Sequence, residues 1–231
     1  MENNYKSFGL GIYSEAENIH GVQAGIVTGV ENIQGIQLGG IIASAENNVF
    51  GVQLGGIIAG VENIQGIQLG GIIADAENDV YGVQAGIVTN AKNIHGVQAG
   101  IVTNAKNIHG VQAGIVTSAE NIHGVQAGIG AYTKNEVYGI QLGGIIAGAE
   151  NIHGVQAGII ACAENNKGLQ LAPISISFKK ESSGKQIGLL LWGPGNKFWN
   201  PNVFYQKLEP GKQVKSLGTL EKVIRTLWKG I

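Results

Sequence analysis

A single cysteine, Cys162, in a chain of 231 residues excludes an intrachain disulfide and a cysteine-rich metal site. Aromatic residues make up 6% of the chain and charged residues 13%, the latter about half the ~25% usual in soluble proteins. With so few rings, one large central core is excluded, and the chain must bury many small aliphatic side chains in a regular way. No apolar run reaches the ~18 residues of a membrane-spanning helix. The opening MENNYKSFGLGIYSEAEN has no basic stretch followed by an apolar segment. No signal peptide is therefore expected, which leaves an intracellular chain or a mature form stripped of its leader.

Glycine, by contrast, is abundant: 38 residues, about twice the usual ~7% share. The net charge of −1 conceals an asymmetry. Residues 1–165 carry four basic and thirteen acidic side chains, and residues 166–231 carry eleven basic and three acidic ones. Such a split marks two physically different segments, the second either a lysine-rich solvated face or a surface for an anionic partner.

Self-similarity is the dominant feature. NIHGVQAGIVTNAK from Asn93 and NIHGVQAGIVTSAE from Asn107 are nearly identical fourteen-residue units. The core G-[VIL]-Q begins at Gly21, Gly35, Gly51, Gly66, Gly82, Gly96, Gly110, Gly124, Gly139, Gly154 and Gly168, with spacings of 14 to 16 residues. A degenerate copy, GKQIGLLL, starts at Gly184. Periods of this kind identify a repeat architecture. Valine and isoleucine bounded by Asn and Gly favour strands, and no unit places apolar residues at helical spacing.

Two β architectures fit. In a β-solenoid each unit is one coil, and equivalent residues stack ~4.8 Å apart. In an antiparallel barrel, membrane-embedded on its simplest reading, each unit is one strand and a turn. Unit length varies at two places only. Ala24-Gly25-Ile26 becomes Leu38-Gly39-Gly40-Ile41, and Asn18-Ile19-His20-Gly21 becomes Asn47-Asn48-Val49-Phe50-Gly51. Two variable points suit a flattened coil with two corners, because corners tolerate extra residues and ladders resist them. Alternate units of a barrel should differ in their turns, yet three successive units here are nearly identical, and aromatic girdles are missing. The expected fold is an all-β solenoid of about twelve coils, with the barrel as the alternative.

In the solenoid, Val22, Ala24 and Ile26 with their equivalents are expected to supply much of the inner stack. Glutamines at 23, 37, 53, 68, 84, 98, 112, 126, 141, 156 and 170 form a ladder of stacked amides, on a face the pattern leaves undecided. The asparagines that open each unit form a second ladder at a corner. Repeats should occupy residues 1–192, and residues 193–231 should form an aromatic, basic cap. Trp192, Trp199 and Trp228 lie past the last clear unit, with Phe198, Phe204 and Tyr205. Leu217, Leu220, Val223, Ile224 and Leu227 predict an amphipathic helix over 217–229. That helix could dock on the solenoid end, make an oligomer contact, or lie on a membrane surface.

The units GVQAGIVTNAKN and GIQLGGIIASAEN resemble those of bacterial surface-repeat proteins, in which G-[VIL]-Q-x-G-[IL]-[IVL]-N-x-A units recur in tandem. The segment GKQIGLLLWGPGNKFWNPNVFYQ is similar to that family's closing stretch, and the likeness spans residues 8 to about 205. It implies a secreted or surface-associated, non-enzymatic bacterial protein.

The motifs of chemistry are missing. There is no G-x-x-x-x-G-K-[ST] phosphate loop and no calcium-binding G-G-x-G-x-D repeat. Histidines 20, 95, 109, 123 and 153 share one phase, which reads as a solvated ladder or, less simply, a shared zinc site. Glutamates 17, 31, 46, 62, 77, 120, 150 and 164 share another, with Lys92 and Lys106 interrupting, and a repeated row defines no unique acid–base pair. No catalytic, cofactor or metal residue is expected, and no nucleic-acid partner, because a readout motif is missing.

The expected function is a structural or interaction repeat protein with a protein or surface partner. Self-association through the terminal helix or the solenoid end and contact with a membrane are also open. The alternatives are a membrane pore with Gln lining its interior and an ice-binding solenoid whose threonines at 28, 89, 103 and 117 form the array.

Overall fold

The computed structural model describes residues 5–179, 181–193, 205–207 and 210–211, with side chains from residue 9 onward except 205–207. It divides into two compact units, residues 1–115 and 116–231. The expected cap helix at 217–229 and most of the expected cap segment, residues 193–231, lie outside the described residues.

Each unit is a stack of β coils paired in parallel register. In the first unit, Asn48–Gly55 lies on Asn63–Gly70 with each residue opposite its repeat equivalent, Gln53 on Gln68 and Leu54 on Leu69. Residues 64–69 lie likewise on 80–85. In the second unit, Val125–Val137 lies on Ile140–Ile152, and residues 155–157 lie on 169–171. A barrel of hairpin-linked strands requires antiparallel neighbours, so the barrel alternative is excluded and the fold is a β-solenoid. Strand Tyr205–Lys207 lies antiparallel on Lys185–Ile187 and closes the last described coil.

The corners fall where unit length varies. Gly86 and Ile87 form a bend, and the register slips between Thr133 and Glu136, at the second insertion point. A third break corrects the two-cornered coil. His109–Gly110 is also a bend, at the glycine of G-[VIL]-Q, which never takes an insertion. At the equivalent Gly66, φ is +143° and a Cβ would strike the carbonyl oxygen of Gly51 in the preceding coil. Only glycine fits both that conformation and that approach.

In the first unit the two corner lengths go with two sequences, whereas in the second Ala131 and Ala161 follow the single glycines Gly128 and Gly158. Where one glycine turns the corner in the first unit, the next inward residue is threonine, and a Cβ on Gly100 would lie 3.3 Å from the Thr103 methyl that fills the space behind it. Where two glycines turn it, the first folds back on its own strand. A Cβ on Gly70 would strike the Ile73 carbonyl, and the inward residue shrinks to Ala74.

The interior differs from the expected one. Val22 and Ala24 are only half-buried and Ile26 is 45% exposed. Inward instead point, in most coils, one Ile or Val, one Gln and two small residues: for example Ile64, Gln68, Ala74 and Ala76. Every glutamine from Gln23 to Gln186 in this phase is 0% exposed. Gln68 shows why burial is tolerated. Its Nε2 donates to Gln53 Oε1 of the preceding coil (2.9 Å) and to the Asp75 carbonyl across the coil (2.8 Å). Its Oε1 accepts from Gln84 Nε2 (2.9 Å). Each amide therefore joins successive coils and braces opposite walls of its own coil.

The asparagine ladder also forms, with Asn32 donating to Asn18 (3.2 Å), Asn48 to Asn32 (3.1 Å) and Asn107 to Asn93 (2.8 Å). One buried Ile contributes about 1.5–3 kcal/mol. A buried amide left without its partner costs about 1–3 kcal/mol. The glutamine row is therefore comparable in weight to the aliphatic one. Replacing Gln68 by Leu strands Gln53 Oε1 and leaves Gln84 Nε2 only the Ala74 and Asn90 carbonyls, so we expect Q68L to lose about 2 kcal/mol in urea denaturation. A neutral Q68L would contradict the bracing role.

Candidate interaction surface

The pleat that turns glutamine inward turns its neighbours outward. Along the first unit, Ile26, Ile41, Ile57, Ile72, Ile87, Ile101 and Ile115 stand one above another at the corner, each 40–46% exposed. A second row runs from Val22 through Ile36 (39%) and Ile67 (40%) to Val111 (38%). Between them lies a row of Ala24, Leu38, Leu54 and Leu69, followed by alanines in the last three coils. Beside the leucines runs a glycine-lined groove of about 600 Å³. Within residues 21–28, and within the equivalent stretch of each later coil of this unit, there is no charged side chain. The second unit repeats the corner row with Ile129 (50%), Ile145 (51%) and Ile159 (52%). Single exposed aliphatic residues are ordinary, but contiguous rows mark an interaction site.

The remaining sides of the coil are polar. Glu31, Glu46 and Glu77 stand exposed in one row that Lys92 and Lys106 continue. A second row carries rings. Tyr81 stacks on His95 at 4.6 Å and His95 on His109 at 5.1 Å, with interplanar angles of 10° and 4°. In the second unit His123 stacks on Tyr138 at 5.0 Å and Tyr138 on His153 at 4.7 Å. These separations match the ~4.8 Å strand spacing, so the ladder imposes a face-to-face geometry that isolated rings avoid. Imidazoles stacked in this way lie side by side and do not converge their nitrogens on one point, as zinc requires. Among the described residues no group of three His, Cys, Asp or Glu is placed to hold a metal ion. Glu136 approaches His153 Nδ1 at 3.0 Å.

Cys162 sits in a buried cluster with Ile176, Phe178 and Trp192, where the two rings meet edge to face at 5.4 Å. Burial pushes its thiol up to about 12, so it stays protonated and unreactive. Trp192, the last residue of the expected repeat segment, thus belongs to the interior of the last described coils. No helix among the described residues is long and apolar enough to cross a membrane.

The threonine array is corrected. Thr28, Thr89, Thr103 and Thr117 are all 0% exposed and point inward, so they offer no face to ice. The sequence reading missed the outward rows of Ile and Val. One signal was available: Gln is the same in every unit while its neighbours vary between Val, Ile and Leu, or Ala and Leu. A position held to one residue type by packing on its own copies does not vary as a solvent-facing one does.

No protein-family model, curated protein or solved structure matches the chain.

The hydroxyls of Thr89 and Thr103 are buried without a hydrogen-bond partner among the described residues, although the Thr103 methyl packs the corner. Valine keeps the shape and removes the unpaired group. T103V is expected to raise stability by about 1 kcal/mol in thermal or urea unfolding. A loss of stability would show that the hydroxyl has a partner in solution.

Proposed function

We propose that the chain is a non-catalytic structural repeat protein that works by presenting its outward aliphatic rows to a partner. One observation carries the reading: a charge-free, aliphatic surface recurs in every coil of the first unit, on a frame that is hydrogen-bonded internally. Such a frame is preorganised, so little ordering cost opposes binding. The stacked rings and the row of acids on the other sides repeat as well and converge on no single point where a reaction would be catalysed. The resemblance of the units to bacterial surface-repeat proteins supports a place at the cell surface, where repetitive β frames serve as spacers and contact surfaces.

The test is a photo-crosslinking amino acid placed at Ile72, on the corner row, or at Glu77, on the acidic row, in the cells that make the protein. Adducts from position 72 and few from position 77 are expected. Equal yields, or none from position 72, would refute the aliphatic surface as the point of contact.

A further inference from the structure

The aliphatic face of the first unit fits one occupant by geometry, a second copy of itself. Seven coils at ~4.8 Å and about five outward-to-corner residues at ~3.3 Å give a flat area on the order of 500 Å². That is near the upper end of what monomers leave exposed, about 300–600 Å². It is also about two-thirds of the ~800 Å² per partner of a stable interface, before the relief of the side chains is added.

Period supplies the second argument. Ridges of Ile and Val repeat once per coil, and only a partner with the same coil spacing keeps ridge and groove matched along the whole row. A second copy has that spacing by construction. A two-fold axis then brings the same patch of each copy together, as sheets pack face to face ~10 Å apart. The corner isoleucines of one copy would enter the glycine-lined groove beside Leu38, Leu54 and Leu69 of the other.

Charge supplies the third. The face carries none, while Glu31, Glu46 and Glu77 stand on a different side of the coil, so pairing does not bring the acidic rows onto the interface. An anionic membrane would favour a basic rim, yet residues 1–115 contain only Lys6, Lys92 and Lys106 as basic residues.

We infer that the chain self-associates in a two-fold manner through the Ile72 face of its first unit. The inference rests on the reading of these rows as an interaction surface and names the partner. Sedimentation equilibrium of the purified full chain should show a dimer. The triple variant I57K/I72K/I87K, with unchanged far-ultraviolet circular dichroism, should bind itself about a hundredfold more weakly or not at all. Glu62→Lys on the acidic row should stay dimeric.

A measurement that does not depend on the triple variant uses nitroxide labels at I72C or at E77C, Cys162 being buried and protonated. Dipolar distances between copies should be shorter from position 72, near the middle of the row, than from position 77. A monomeric wild type, or a dimer untouched by the triple lysine change, would overturn the inference. So would a monomer that floats with phosphatidylcholine vesicles, which would assign the face to lipid. In each of these cases crosslinking from position 72 would show whether the broader reading survives.

Discussion

The architecture depends on a hydrogen bond between one glutamine side chain and the same glutamine one coil away. A primary amide has two donors and an acceptor with two lone pairs. In a parallel, in-register stack every amide finds an identical partner above and below it. Gln98 donates to Gln84 and accepts from Gln112, each at 2.9 Å, while its second hydrogen reaches the Asn104 carbonyl at 3.0 Å. The chain thereby buries a polar group in every coil at little cost. It also gains a fixed register, because a slip of one residue would replace each amide by an aliphatic neighbour.

Once glutamine occupies the interior, the rest of the coil is constrained. Little room remains beside it, so in most coils before the last the other inward positions are Ala, Thr or Ser with a single Ile or Val. The glycine of G-[VIL]-Q lets successive backbones touch, and in the first unit the number of corner glycines goes with the size of the residue behind them. The alternation that buries Gln also exposes Val and Ile. The apolar surface is thus a by-product of the polar core, available for recruitment as a contact surface at no cost in folding. Among the described side chains the ladder ends at Gln186, whose Oε1 is buried and unpartnered there, beneath the antiparallel strand Tyr205–Lys207.

Much of this was legible in the sequence, for identifiable reasons. The period and the Asn and Gln ladders followed from identity of phase, because stacking converts sequence repetition into spatial adjacency. Two corners followed from the insertions. The third escaped because its glycine contacts its own copies, and a residue so confined takes no insertion. The aliphatic residues were placed inside and the face of the glutamines was left open for a physical reason: hydropathy ranks Val22 and Ile26 as core and Gln23 as surface. That ranking prices an isolated amide, whereas a stacked amide is paired on both sides. The threonines were misplaced by the same rule, and the outward surface was missed with them.

The central claim is that these glutamines are inside and hydrogen-bonded while the aliphatic residues beside them are outside. Hydrogen exchange of the side-chain amides, followed by NMR with Gln34 and Gln65 as exposed references, tests it most directly. The account predicts strong protection of the Nε2 hydrogens of the ladder glutamines and rapid exchange of those of Gln34 and Gln65. Ladder amides exchanging as fast as the references would contradict it.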